Sequence, residues 1–492
     1  MDEMQYESVM NETTNYETER PVQRPAVPSQ RPRSKKRPKT KQELFKENTL
    51  PLIILGIAAV LILTFIIGSI VRGVQKRKIE TEASIAASES MAAEEARLTD
   101  EMNAILASAE ECAIVYDYET AIALIDSFSG NIGAYPQLQD ARVRYEYEKS
   151  TLIPWEDPNE IINLSFQTLI ADPARAFASE SHGGSMRQNY ITVSEFQKIL
   201  EDLYANDYIL VSLRDIAEIG TTTAGTMGYK YKELYLPEGK KPVILTQTNV
   251  NYPLSLVDSD EDMIADQGGV GIASKLVLDA DGSITCEMVD ANGTVTTGAY
   301  DLIPILDAFV KAHPDFSYRG AKAVLALTGY NGLFGYRTHA AGRDALGEDV
   351  YARDMQTVQS IAEALKASGY ELGCYTYNNR PYGVYSLSEI QADMNLWNDE
   401  VVSILGQMDI MVFAQSSDIS EAMLYSGEKY DYLKSLGYNY YLGFSSNGDP
   451  FTFIADEYVR QGRLMVTGDN LIHNADWFNG IFSTEELMDE AR

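Results

Sequence analysis

From Leu50 to Val71 the chain runs LPLIILGIAAVLILTFIIGSIV without one charged side chain. A helix needs ~20 apolar residues to cross a bilayer, so the stretch predicts an uncleaved transmembrane helix. A signal peptide would carry an apolar run of only ~7–15 residues close to its start, whereas a long polar segment comes first here. Beyond the span, Ile79 to about Met102 is dominated by Ala, Glu, Ser and Met, strong helix formers with few large apolar residues, which predicts an exposed helical stalk. In AEECAIVYDYETAIALIDSF, Cys112, Val115, Tyr118, Ala121, Ile122 and Ile125 recur at helical spacing, and a second helix follows Pro136 in QLQDARVRYEYEKSTL.

After Trp155 the pattern changes to short apolar strands alternating with amphipathic helices. Thr192–Asn206 opens on a Thr cap and sets Phe196, Ile199, Leu200 and Leu203 on one face. Val243–Thr246, Ala323–Thr328, Tyr370–Tyr377, Ile410–Ala414 and Tyr438–Phe444 read as strands. Asp307–Ala312, Asp354–Ser368, Ser388–Leu405 and Tyr430–Ser435 read as the helices between them. Repeated units of this kind predict an α/β fold with a largely parallel sheet, closed as a barrel or open and doubly wound. An insertion at about 270–300 interrupts them: Asp281-Gly282 and Asn292-Gly293 mark hairpin turns around Lys275–Leu278 and Ser283–Val289. The loop Asp258-Ser259-Asp260-Glu261-Asp262 begins like an EF-hand, but Met263 stands where that loop needs Gly and Gly269 where it needs Glu, which argues against calcium.

Charge orients the span. Arg31, Arg33, Lys35, Lys36, Arg37, Lys39, Lys41 and Lys46 precede it, against Arg72, Lys76, Arg77 and Lys78 after it, and the positive-inside rule puts the amino terminus in the cytoplasm and the remainder outside the cell. The formal charge of −32 is asymmetric: residues 1–78 hold 14 Lys+Arg against 8 Asp+Glu, leaving the remainder at −38. An ectodomain this acidic is not a nucleic-acid binder. Cys112, Cys286 and Cys374 are too few and too widely spaced for a disulfide framework or a CxxC zinc site. The expected organisation is a disordered basic tail (1–49), a transmembrane helix (50–71), a helical stalk and hairpin (72–154) and an α/β domain (155–492).

DYETAIALIDSF and the helix after it resemble a single tetratricopeptide-like hairpin, which alone cannot bury a solenoid core and reads more simply as a packing element. A longer resemblance covers about Asn163 to Arg492. LSFQTLIADPARAF, VSEFQKILEDLYANDYILVSLRDI, KKPVILTQTNVNY, ALTGYNGLFGYRT and SGYELGCYTYNN follow the segment order of the polysaccharide deacetylase family, metal-dependent carbohydrate esterases, and are similar to its membrane-anchored bacterial branch. The resemblance implies a distorted (β/α) barrel that would use zinc or a similar divalent ion on acetylated amino sugars.

The resemblance also shows what has changed. Active members carry an Asp-Asp pair at the end of the first strand, as general base and metal ligand; here Thr248-Asn249 stand there. Their two histidine ligands fall on the stretch Tyr375-Thr376-Tyr377-Asn378-Asn379. The metal polarises the acetyl carbonyl and activates water while the carboxylate takes a proton, and Thr, Tyr and Asn cannot supply those groups at neutral pH. Gln167 is a further departure, since relatives of this branch often show His there. The implied protein is a catalytically inactive barrel, without a cofactor, that still binds a cell-envelope polysaccharide. Thr248, Asn249, Tyr252, Arg337 of GYRT, Tyr375, Tyr377 and Asn379 are its candidate substrate-binding residues, with Arg380 and Tyr382 nearby. Two other readings stay open: an enzyme with displaced ligands or different chemistry, and a scaffold that meets an envelope protein through stalk and hairpin. Of the four histidines, His339 is the best candidate for a displaced site and His313 is expected to face solvent.

Overall fold

The computed structural model describes the backbone of residues 41–492 and the side chains from residue 53 onward. Residues 1–40, most of the expected tail, lie outside the described residues. The described residues fall into two compact units, one up to Ala93 and one from Glu94 to Arg492.

In the first unit a helix, Lys41–Ile114 by its full bounds, begins ahead of the expected Leu50, because KQELFKENTL is itself made largely of helix formers. Its apolar part has a mean hydropathy of 2.8 with no part of that window buried. Leu55 and Phe65 are 71% and 72% exposed. Apolar surface costs ~25 cal/mol per Å² in water, so a helix of this length and composition is suited to a bilayer.

The second unit opens with the last turns of that helix, then Tyr118–Asp126 and Pro136–Thr151, packed around Met102, Ala109, Tyr118, Ile125, Leu138 and Tyr145. The apolar spacing here predicts one helix through Tyr116-Asp117-Tyr118, and the structure breaks it. Tyr116 takes a left-handed φ of 65°, and the Asp117 carboxylate accepts from Thr120 N at 3.4 Å to cap the next helix. This bundle sits on the α/β part, where Arg319 N donates to Val115 O at 2.8 Å and the Arg319 guanidinium pairs with Glu119 at 2.6 Å.

Seven parallel strands close into a barrel. They are β1 Ile162–Phe166, β2 Lys241–Thr248, β3 Ala323–Leu327, β4 Glu371–Cys374, β5 Ile410–Val412, β6 Tyr440–Phe444 and β7 Tyr458–Met465. Each pairs with its successor, and β7 returns to β1 through Leu464↔Leu164. A short strand, Tyr208–Leu210, pairs with the start of β2 on the edge that β3 takes further along, which distorts the ring. Among the elements outside the ring, Val193–Ala205 carries the expected cap, extended to a full capping box by Glu195. The insertion is a three-stranded antiparallel sheet, Lys275–Leu278, Ile284–Val289 and Val295–Gly298.

Alternation along each strand separates two cores. Outward residues such as Leu164, Leu245, Leu325 and Leu372 pack under the surrounding helices. Inward residues Ile209, Ile244, Val324, Ile410, Leu442 and Val459 fill the barrel. Leu213, Ile216, Leu234 and Leu236 join the inner core at the end where the strands begin. Towards the strand ends the inward positions turn polar: Asn163 Nδ2 donates to Gln461 Oε1 at 2.9 Å and Thr246 Oγ1 donates to Asn163 Oδ1 at 2.8 Å.

Candidate binding site at the barrel mouth

The last inward layer is Ser165, Thr248, Tyr375 and Arg463, all buried. Arg463 is wholly enclosed, and no carboxylate is among its hydrogen-bond partners. Its Nε donates to Gly443 O at 2.9 Å, Nη1 to Ser165 Oγ at 3.0 Å and Nη2 to Phe413 O at 2.7 Å. Burial lowers its pKa from the usual arginine value. Thr248 Oγ1 donates to Phe166 O at 3.3 Å, which ties the ends of β1 and β2.

Above this layer lies a cleft of about 400 Å³ at the strand ends. Six amide side chains line it, Gln167, Asn189, Asn249, Asn379, Gln415 and Asn470, together with Tyr375, Ser416, Met465 and Thr467. Asn249 Nδ2 donates to Gln167 Oε1 at 2.9 Å, and Gln415 Nε2 to Asn379 O at 2.8 Å. The Oδ1 atoms of Asn249 and Asn379 are buried without a hydrogen-bond partner. The rim is also conformationally strained. Asn249, Thr376, Asn379, Gln415 and Ser416 all have left-handed φ, between 52° and 62°, and for β-branched Thr376 this is a true outlier.

Two buried carboxylates hold the rim from behind, and neither was legible as a site residue. Asp301 accepts from Leu169 N at 3.0 Å, Gln247 Nε2 at 2.6 Å, Tyr252 OH at 2.7 Å and Leu302 N at 2.9 Å, so it fixes the loops after β1 and β2. Burial pushes its carboxyl up, and these hydrogen bonds oppose the shift. Asp393 accepts from Tyr377 N at 2.8 Å, Asn378 N at 3.1 Å and Tyr382 OH at 2.8 Å, which fixes the loop after β4. Both would have required knowing which loops meet in space.

Of the candidate residues, Asn249, Tyr375 and Asn379 meet in the cleft, and Thr248 lies buried at the end of β2. Three others lie away from the cleft lining. Tyr252 is fully buried with its hydroxyl on Asp301. Arg337 is buried, and its Nη1 donates to the carbonyls of Asn251, Tyr252 and Asn331, bracing the loop after β2. Tyr377 turns inward and donates its hydroxyl to Glu400. In each case the ring or guanidinium buries more apolar surface inside than on the rim, and a partner satisfies its polar end. Tyr382 is likewise buried on Asp393, while Arg380 remains exposed with its Nη1 on Tyr385 OH at 2.8 Å.

The donor set does not fit a zinc-type ion, because the cleft lining holds amides and hydroxyls with no carboxylate or imidazole. His339 is buried, with Nδ1 unpartnered and its pKa pushed down to about 4 by burial and by Arg337. Among the described residues the acidic group with ligand-like proximity is Asp258, Asp260 and Asp262, without His339. His313 does not face solvent freely: its ring lies 4.4 Å from that of Tyr204 and 4.8 Å from that of Phe309.

No family model matches the chain, and no curated protein matches it. Among solved structures it is similar to a Streptococcus pyogenes deacetylase, PplD, in complex with acetate, at 12% identity and a TM-score of 0.33, over 68% of this chain and 97% of that one.

Proposed function

We propose that this chain is a single-pass membrane protein, amino terminus in the cytoplasm, whose outward-facing deacetylase-like barrel binds an acetylated amino-sugar polymer of the cell envelope and does not hydrolyse it. The observation that carries the reading is the amide-lined mouth, with two buried carbonyl oxygens, Asn249 Oδ1 and Asn379 Oδ1, left without donors. An unsatisfied buried acceptor costs ~1–3 kcal/mol, so a ligand hydroxyl or acetamido N–H that reaches it recovers that cost. Sugar hydroxyls both donate and accept, as do the primary amides around the cleft. Deacetylation needs a base and a Lewis acid, and the cleft lining offers neither a carboxylate nor a metal-ligand set.

The test is retention of the full-length protein, in detergent, on purified envelope glycans, with acetate release measured in parallel. Retention without acetate supports the proposal. Acetate release with stoichiometric zinc that survives dialysis would replace it by an enzyme with displaced ligands. Failure to bind any glycan would transfer the function to the helical bundle and an envelope protein partner. Orientation has its own test, since protease added to intact cells should digest the chain beyond Lys78 and spare the first 45 residues.

A further inference from the structure

The mouth has a neighbour. A second cleft, about 700 Å³, lies alongside it, and Ser416 lines both. Gln415 and Ser416 form the ridge between them, each in the left-handed region with φ of 52° and 53°. Two consecutive residues held there cost ~1–3 kcal/mol each.

The walls of the second cleft are fixed in advance. Gly383 N donates to Ser417 O at 3.3 Å, and a Cβ at Gly383 would come within 2.4 Å of Asp418 O, so the approach of the two walls requires glycine. Arg460, 6% exposed, is part of the cleft lining. Its Nη1 donates to Ala422 O at 2.6 Å and Met423 O at 3.0 Å, and its Nη2 to Asp418 at 2.7 Å and Ser420 O at 2.8 Å. One guanidinium thus pins the whole 418–423 wall, while its Nε remains buried and unpartnered. A wall fixed in this way loses little entropy when a ligand arrives.

The surface it presents is amphipathic. Val384 and Met423 stand on the rim, 80% and 48% exposed, and Ser417 and Ser420 offer hydroxyls between them. The charged pair Asp418–Arg460 is internally compensated, leaving Glu421 as the free charge in the lining. That combination suits an uncharged ring with an apolar face and hydroxyl edges, and it disfavours anionic polymers.

We infer that the second cleft takes the next residues of a neutral amino-sugar chain whose leading residue occupies the mouth, so the ligand is an oligosaccharide running over the Gln415–Ser416 ridge. This rests on the glycan-binding reading above and adds the direction and length of the chain to it. The experiment measures affinity of the full-length protein in detergent for β-1,4-linked N-acetylglucosamine oligomers of one to six residues. The pentamer should bind at least tenfold tighter than the dimer. V384E and M423E, both at exposed rim positions, should each reduce that ratio severalfold, with unfolding midpoints measured alongside to verify the fold. A pentamer that binds no tighter than the dimer overturns the inference and leaves glycan binding in place. A ratio that survives both substitutions overturns it too, because the chain would leave the mouth in another direction. No binding at any length would remove the glycan reading and this inference together.

Discussion

Near the strand starts the barrel interior is filled by Ile209, Ile244, Val324, Ile410 and Val459, whereas near the strand ends the inward positions are Ser165, Thr248, Tyr375 and Arg463. The lower half gains its stability from apolar burial, which is non-directional and tolerates repacking. The upper half relies on directed hydrogen bonds, where every donor needs an acceptor in place. Polar interior positions contribute less to stability than apolar ones of the same volume. They are concentrated at the end that carries the cleft lined by six amides, whereas at the strand-start end the polar inward group Glu371 is paired with Arg214.

The apolar half should be the more sensitive to truncation. Ile410→Ala should cost ~2–5 kcal/mol in urea unfolding, because the enclosed site cannot collapse around the lost methyls. A cost below ~1 kcal/mol would mean that the lower half is not the stabilising core. The same substitution should leave the glycan affinity of the folded fraction intact.

Acid offers a second contrast. The His339 pKa is depressed to about 4, so its neutral form is favoured by folding. The stability it contributes is present above the unfolded value of ~6.5 and is lost as pH falls towards 4, at no more than ~1.4 kcal/mol per pH unit. Unfolding midpoints at pH 7 and pH 5 should therefore differ, and H339Q should flatten the difference. Glycan binding should stay level across that range, since no carboxylate or imidazole lines the mouth.

At the polar end the expected effects are smaller in energy and specific to binding. Asn249→Gly keeps the left-handed backbone and removes the amide. It should weaken glycan binding about tenfold, ~1.4 kcal/mol, and change stability by less than ~1 kcal/mol. Tyr375 and Tyr377 are poor probes of the mouth, because each is 6% exposed and its truncation would open a cavity. The smallest expected effect is that of zinc. A functional site would add ~2.7 kcal/mol to stability at a hundredfold excess over Kd, and we expect no shift in the unfolding midpoint.

Much of this architecture is determined locally and was therefore legible. The apolar run from Leu50 to Val71, the capping box at Thr192 and Glu195, and the strands β2 to β6 follow from periodicity and short-range chemistry. β1 and β7 are absent from the strands read in the sequence, because Asn163 and Ser165 in one, and Gln461 and Arg463 in the other, put polar groups where alternation leads one to expect apolar ones. They face inward only because Gln461 meets Asn163, and Arg463 meets Ser165, across some three hundred residues of chain. That Thr248, Asn249 and the Tyr375–Asn379 stretch are candidate site positions could be read position by position. Which of those residues reach the mouth could not. Tyr252 and Tyr377 turn inward because Asp301 and Glu400 wait there, and Arg337 because three backbone carbonyls do. A side chain's direction is decided by the partner that satisfies its polar atom, and that partner is supplied by tertiary structure alone.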